Sequence, residues 1–99
     1  MSRPRNKLAT RPMFIPLKRE WYEAFARGEK TVEYRLPKGA FAPHHCAPGR
    51  PVVLSLGWSG NGRLNARIVA YALVDATPVT RTIWPDADTV GAITLELLD

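Results

Sequence analysis

Three charged residues lie close together in the stretch Gly28 to Arg35, which reads Gly-Glu-Lys-Thr-Val-Glu-Tyr-Arg. Lys30, Glu33 and Arg35 fall within six residues, where an amphipathic helical pattern gives way to a β-branched one. Polar groups at such a junction can line a cleft without disrupting a core. A carboxylate beside two cations can hold a polar ligand or act as a general base.

The alternation of side chains along a strand predicts which of these groups meet. In a strand from Lys30 to Leu36, Glu33 and Arg35 share a face with Thr31 and are close enough to pair. Lys30 has the wrong parity and joins them only from an irregular position after the Gly28 turn. The opposite face is apolar and is expected to be the core side; it carries Val32, Tyr34 and Leu36. The alternative is a solvent-facing edge with a surface ion pair, worth roughly 0–1 kcal/mol.

The element before this strand is predicted to be a helix from Lys18 to Arg27. Trp21, Ala24 and Phe25, with Tyr22 beside them, form a stripe at helical spacing that suits packing on a sheet. Trp21 is therefore expected to lie in the core. Gly28 follows the last helical residue, where a left-handed cap favours glycine.

Strand patterns dominate the rest of the chain. An Asn-Gly pair at 61–62 predicts a hairpin turn. The segment Thr77 to Asp88 is expected to be irregular and to cross the barrel, with Trp84 covering the core. The fold class is thus α+β, mainly β, a small barrel or sandwich. About five strands are expected: Met13–Leu17, Lys30–Leu36, Val52–Leu56, Leu64–Asp75 and Ala92–Leu98.

Charge is distributed unevenly along the 99 residues. Residues 1–50 hold eleven Lys or Arg against four acids, whereas residues 51–99 hold three against five, and the formal net charge is +5. A positive half favours a polyanionic partner such as nucleic acid, although many soluble domains carry as much charge. We interpret residues 1–11 as a basic disordered arm and residues 12–99 as one domain.

The composition also bears on where the protein functions. A hydrophobic fraction of 45% predicts a globular fold. The sequence contains no run of 18 apolar residues, so no membrane-spanning helix is predicted. The basic N-terminus lacks the apolar stretch of a signal peptide. The single Cys46 cannot form an internal disulfide, so a reducing, cytoplasmic location is the simplest interpretation.

The loop from Pro37 to Arg50 contains His44, His45 and Cys46, all of which are metal-ligand types. Three consecutive residues do not readily converge on one tetrahedral zinc, and the sequence has no second Cys or His cluster. We therefore expect no metal and no other cofactor. A histidine here could instead act as an acid or base in a cleft, since it titrates near neutrality.

Gly28, Lys30, Glu33 and Arg35 together make the pattern Gly-x-Lys-x-x-Glu-x-Arg after a helix, and this pattern resembles the signature of the ASCH domain family. The resemblance extends over roughly residues 12–98, and it includes the first strand Phe14–Leu17 and the segment Gly49–Leu54. It implies a small PUA-like β-barrel with a helix at one end. Relatives with such barrels are mostly associated with RNA.

The first functional hypothesis is therefore an RNA- or nucleotide-binding domain, with a monomer favoured. Lys30 and Arg35 would contact phosphate or base edges, and Glu33 would orient Arg35. An arginine can bind phosphate in a planar, bidentate way that lysine cannot, and an aromatic residue beside a glycine can stack on a base. The candidate binding residues are Lys18, Arg19, Lys30, Glu33, Arg35, Trp58 and Arg63.

The alternatives belong to other classes. Some ASCH-like proteins hydrolyse the acetyl amide of N4-acetylcytidine, with a threonine nucleophile where this chain has Glu33. Here Glu33 would instead be a general base and Lys30 would stabilise the oxyanion, with only Asp86 and Asp88 available for the later acid. A metal-dependent ribonuclease and a protein-interaction module without a nucleic-acid ligand are further alternatives.

Overall fold

The computed structural model describes residues 11–58 and 62–98. The proposed basic arm at residues 1–11 lies outside the described residues except for Arg11, and residues 59–61 of the hairpin turn also lie outside them. No helix in the described ranges is long and apolar enough to cross a membrane.

Five strands form one curled sheet, a half-barrel, as the sequence predicts. They are β1 (Met13–Leu17), β2 (Val32–Arg35), β3 (Pro51–Leu56), β4 (Arg63–Asp75) and β5 (Thr89–Leu97). Their order in the sheet is β1-β3-β4-β5-β2. The pair β1 and β3 is parallel, and the other three pairs are antiparallel. Consequently β1 and β2 are the two end strands.

Helix α1 (Arg19–Ala26) lies between these two end strands in the chain. Phe25 is buried and Tyr22 packs partly against the core, because both lie on the apolar stripe of the helix. The helix ends at Gly28, whose φ of 78° is the left-handed conformation expected from the sequence. The amides of Glu29 and Lys30 both donate to the carbonyl of Ala24, at 2.9 and 3.2 Å. This cap turns the chain back toward the sheet.

The core fills the concave side of the sheet. Alternate residues of β1 point inward, and β3, β4 and β5 contribute branched side chains to the same layer. A bulge between Ile68 and Ala70 shifts the register of β4 against β5. The buried cluster consists of Met13, Ile15, Leu17, Phe25, Cys46, Val52, Leu54, Ala66, Ile68, Ile93 and Leu95.

Two expectations about the core are wrong. Trp21 is 42% exposed, because it lies at the edge of the helical stripe. The faces of β2 are also opposite to those predicted: Glu33 is only 8% exposed, whereas Tyr34 is exposed and Val32 and Leu36 are half-buried. The physical reason is that β2 is an end strand, so its inward face meets a polar cleft rather than a closed core.

The segment between β4 and β5 is more regular than the sequence predicts. It contains a single-turn helix, α2 (Pro78–Arg81). The side chain of Thr77 accepts from the amide of Thr80, and the hydroxyl of Thr80 accepts from the amide of Thr77, so the two residues form a reciprocal cap. The segment then places Trp84, which is half-buried, beside β2.

The left-handed cap at Gly28 can be tested by substitution. A Cβ at this position would meet no atom within 4 Å, so only the backbone conformation opposes a side chain. Gly28→Ala is expected to lower the free energy of unfolding by about 1 kcal/mol. Gly28→Asn should cost less, because asparagine tolerates this conformation. Urea denaturation of both variants measures the difference, and equal losses would contradict the proposed cause.

Candidate functional site

The two end strands of the half-barrel are connected by a side chain rather than by a strand ladder. Arg35, the last residue of β2, donates from Nη2 to the carbonyl oxygen of Pro16 in β1 at 2.9 Å. Proline has no amide hydrogen of its own to donate at this edge. We call the gap between β1 and β2 the seam, and Arg35 bridges it.

The same guanidinium holds the carboxylate of Glu33. Nε of Arg35 donates to Oε2 of Glu33 at 2.8 Å, within one strand and on one face. The Cζ atom of Arg35 also lies 5.0 Å from the ring centroid of Phe41, within the range of a cation–π contact. Two of the five N–H donors of Arg35 are therefore used inside the protein.

Lys30 approaches Glu33 from the other side. It precedes β2, as the parity argument requires, and its Nζ lies 3.7 Å from Oε1 of Glu33. Nζ also donates to the carbonyl of Val32 at 2.6 Å. The ammonium lies between 5.4 and 5.7 Å from three ring centroids, which belong to Trp21, Phe25 and Tyr34. Lys30 is thus a counter-ion for Glu33, set behind it among aromatic rings.

A cleft of about 280 Å³ opens at the seam. Glu33 and Arg35 form its polar wall, and Lys18 lies at its cationic rim, while most of the remaining surface is apolar or aromatic. Lys30 is not among the lining residues. The full lining is Pro16, Leu17, Lys18, Trp21, Glu33, Tyr34, Arg35, Ile83 and Trp84.

Two shallower depressions adjoin this cleft. One of about 260 Å³ shares Pro16, Leu17 and Lys18 with it and continues to Trp58. The other, of about 370 Å³, shares Ile83 and Trp84 with it and continues along the other side. The three form a trough that follows the edge of the half-barrel. A trough of this length can hold more than one ring-sized group.

The other predicted binding residues are spread around this trough. Lys18 lines the cleft, whereas Arg19 is exposed on α1 and pairs with Glu23 at 3.7 Å. Trp58 is 80% exposed at one end of the trough. The ring centroids of Trp58 and Phe14 lie 5.5 Å apart, and Cζ of Arg63 lies 5.8 Å from the centroid of the Phe14 ring. Trp58 and Arg63 therefore meet at Phe14, away from Glu33.

The two histidines and the cysteine of the loop before β3 do not line the cleft. The ring centroids of His44 and His45 lie 4.0 Å apart with the rings tilted, and burial lowers the pKa of His45, with further lowering by His44 and Arg50. Cys46 is buried, which raises the pKa of its thiol. Within residues 11–58 and 62–98, no group of three or more His, Cys, Asp or Glu is placed to hold a metal ion.

The candidates for an additional catalytic group also lie outside the cleft. Thr31 does not line it. Asp86 lines only the adjoining depression beside Trp84, and Asp88 pairs with Arg81 at 3.3 Å.

The sequence interpretation missed several components of the site. The carbonyl of Pro16 carries no side-chain signal. Ile83 and Trp84 reach the cleft from a segment distant in sequence, and Trp84 was expected only to cover the core. The only sequence feature that could have indicated a role for Trp84 in the cleft is the presence of an aromatic residue in an irregular segment.

Comparisons with known proteins identify the fold. No family model and no curated protein matches the chain significantly. The structure is similar to that of the hypothetical protein PH0355, with a TM-score of 0.63, 15% identity, and coverage of 89% of this chain and 100% of that one. It is also similar to a mutant of ZmASCH from Zymomonas mobilis, with a TM-score of 0.60, 16% identity, and coverage of 87% and 73%. The chain has an ASCH-like fold.

The ion pairs around Glu33 can be compared with an exposed pair of equal length. Glu33 and Arg35 lie 2.8 Å apart with Glu33 buried, and Glu96 and Arg67 lie 2.8 Å apart with both side chains about half exposed. Glu33→Gln leaves two partly buried cations without their carboxylate, so it should lower the free energy of unfolding by about 1–3 kcal/mol. Glu96→Gln should cost about 0–1 kcal/mol. Chemical denaturation of both variants provides the test, and equal effects would contradict a structural role for Glu33.

Proposed function

We propose that this ASCH-like domain binds single-stranded RNA or a nucleotide, with a base in the seam cleft. The observation that carries the proposal is a carboxylate, Glu33, held at the wall of a cleft that is otherwise largely aromatic and apolar. Aromatic and apolar walls suit the faces of a nucleobase, and a fixed polar group suits its edge. Unstacked single-stranded bases can enter such a cleft, whereas paired bases cannot.

Glu33 favours a base that carries an amino group. An ionised carboxylate only accepts hydrogen bonds and offers about four lone-pair sites. One oxygen of Glu33 already accepts from Arg35, and sites remain for a ligand. Cytosine presents an N4 amino donor where uracil presents an O4 acceptor. We therefore propose that the cleft prefers cytosine to uracil.

The phosphate contacts are assigned differently from the sequence interpretation. Arg35 donates from Nε to Glu33 and from Nη2 to Pro16, and the carboxylate of Glu33 compensates its charge, so Arg35 adds little net attraction for a phosphate. Lys30 lies behind Glu33 rather than in the cleft. Lys18, exposed at the rim, is the residue we propose for a phosphate, because it lines both the cleft and the depression leading to Trp58. Trp58 can stack on a further base.

Amide hydrolysis has less support from the site. No Ser, Thr or Cys side chain lines the cleft in the part of the chain that the structure describes, so a hydroxyl or thiol nucleophile is not in place. Glu33 would have to activate water directly while accepting from Arg35. Incubation with N4-acetylcytidine, followed by chromatography for cytidine, tests this alternative in the same preparation as the binding assays.

The base preference has a direct test. Fluorescence anisotropy with labelled hexamers at about 50 mM salt should show oligo-C binding more tightly than oligo-U, by roughly tenfold for one good base contact. Glu33→Gln should reduce that preference, because an amide both donates and accepts. Circular dichroism of the variant establishes that it is folded. Equal affinities for the two hexamers with the wild-type protein would contradict base recognition by Glu33.

The phosphate role of Lys18 makes a separate prediction. Lys18→Ala should weaken oligo-C and oligo-U equally and lower the slope of log K against log salt by about 1, since a phosphate contact carries no base information. Lys38→Ala is the matched control, because Lys38 is also exposed but lines none of the three parts of the trough. Equal effects of the two substitutions would mean that Lys18 attracts RNA only through its charge and makes no specific phosphate contact.

A further inference from the structure

A second cavity lies apart from the trough, with no lining residue in common with it. It has a volume of about 220 Å³ and is formed by the start of β1 and by the loop that precedes β3. Its lining residues are Pro12, Met13, Phe14, Ala40, His45 and Arg50. The cavity thus has apolar walls, one guanidinium and one imidazole.

Arg50 has an unusual environment in this cavity. It is only 8% exposed, yet it takes part in none of the ion pairs found among the described residues. Its Nε donates to the carbonyl of Arg11 at 2.9 Å, and its Nη1 donates to the carbonyl of His45 at 2.6 Å. Carbonyl dipoles offset part of the cost of burying a cation, but they supply no opposite charge.

The geometry leaves Arg50 with hydrogen-bonding capacity toward the cavity. A guanidinium has five N–H donors, and two of those in Arg50 have described acceptors. No fully buried side-chain polar atom in the described ranges lacks a partner, so Nη2 of Arg50, which has no described acceptor, is accessible. Since Arg50 lines the cavity, Nη2 is the donor that we assign to a ligand there.

His45 supplies a second group that can hydrogen-bond an anion in the same cavity. Burial lowers the pKa of His45, and repulsion from His44 and Arg50 lowers it further, which favours the neutral imidazole in the free protein. An anion bound beside Arg50 would offset that repulsion. His45 could then donate a hydrogen bond to the anion as the neutral imidazole or as the imidazolium. Cys46, although adjacent in sequence, is buried with a raised thiol pKa and does not line the cavity.

We propose that this cavity is a binding site for a phosphate group, with Arg50 as the principal donor and His45 as the second. Phosphate suits the site better than a carboxylate, because a dianion can compensate a guanidinium and an imidazolium together. The apolar walls at Met13 and Phe14 give room for an uncharged body attached to the phosphate. The proposal does not depend on RNA or nucleotide binding at the seam.

The test is a titration of ¹⁵N-labelled protein with inorganic phosphate and, separately, with phenyl phosphate, at an ionic strength held constant with sodium chloride. Binding predicts saturable NMR shifts at the side chains of His45 and Arg50 and at Phe14. Tighter binding of phenyl phosphate would identify a phosphate monoester as the preferred ligand class, and equal binding would identify free phosphate. Shifts that never saturate, or that lie only along the seam, would overturn the proposal.

Two variants separate binding from folding. Arg50→Gln removes the charge but also two backbone contacts, so it tests the site only if the protein remains folded. Ala40→Leu fills the cavity while leaving those contacts in place, and it should weaken phosphate binding by roughly tenfold, or about 1.4 kcal/mol. Arg67→Gln is the matched control, since Arg67 is exposed and paired with Glu96. Unchanged binding in Ala40→Leu would also overturn the proposal.

Discussion

The arrangement of the site depends on the guanidinium of Arg35. It donates at once to Glu33 in its own strand and to the carbonyl of Pro16 in the strand at the other end of the sheet. A curled sheet whose end strands are not paired leaves an open seam between them. Closing that seam with a strand ladder would have removed the cleft, whereas closing it with one side chain leaves room beside the bridge. The cleft therefore exists because the barrel is only half closed.

This arrangement also accounts for a carboxylate on the inward face of a strand. Burying Glu33 alone would be costly, but Arg35 lies at 2.8 Å and Lys30 at 3.7 Å from its two oxygens. Lys30 is held in turn by the Val32 carbonyl and by surrounding aromatic rings. The Gly28 turn is what places Lys30 outside the regular strand, where its parity does not matter. The spacing Gly-x-Lys-x-x-Glu-x-Arg thus describes a carboxylate with a cation on either side.

Much of the fold follows from local sequence, and the errors have a common cause. The strands, the helix and the cap at Gly28 depend on periodicity and on glycine conformation, and they agree with the structure to within a few residues. Periodicity also correctly groups Glu33 with Arg35, but it does not say which face of β2 is inward. That depends on β2 being an end strand, which is a property of the whole sheet. Trp84 and the Pro16 carbonyl were missed for the same reason, since only tertiary structure brings them to the cleft.

Arg35, which is half-buried, and Arg50, which is buried, differ in what they leave for a ligand. Arg35 is paired with a carboxylate, so the pair adds little net charge to the seam cleft, and the base recognition that we propose there rests on the acceptor oxygens of Glu33 and on aromatic surfaces. Arg50 has only carbonyl partners among the described residues, so its positive charge is uncompensated and its cavity favours an anion. A positively charged N-terminal half need not mean that every arginine contacts phosphate. In this chain the partner of each guanidinium is what distinguishes the two proposed sites, one for a base and one for a charged group.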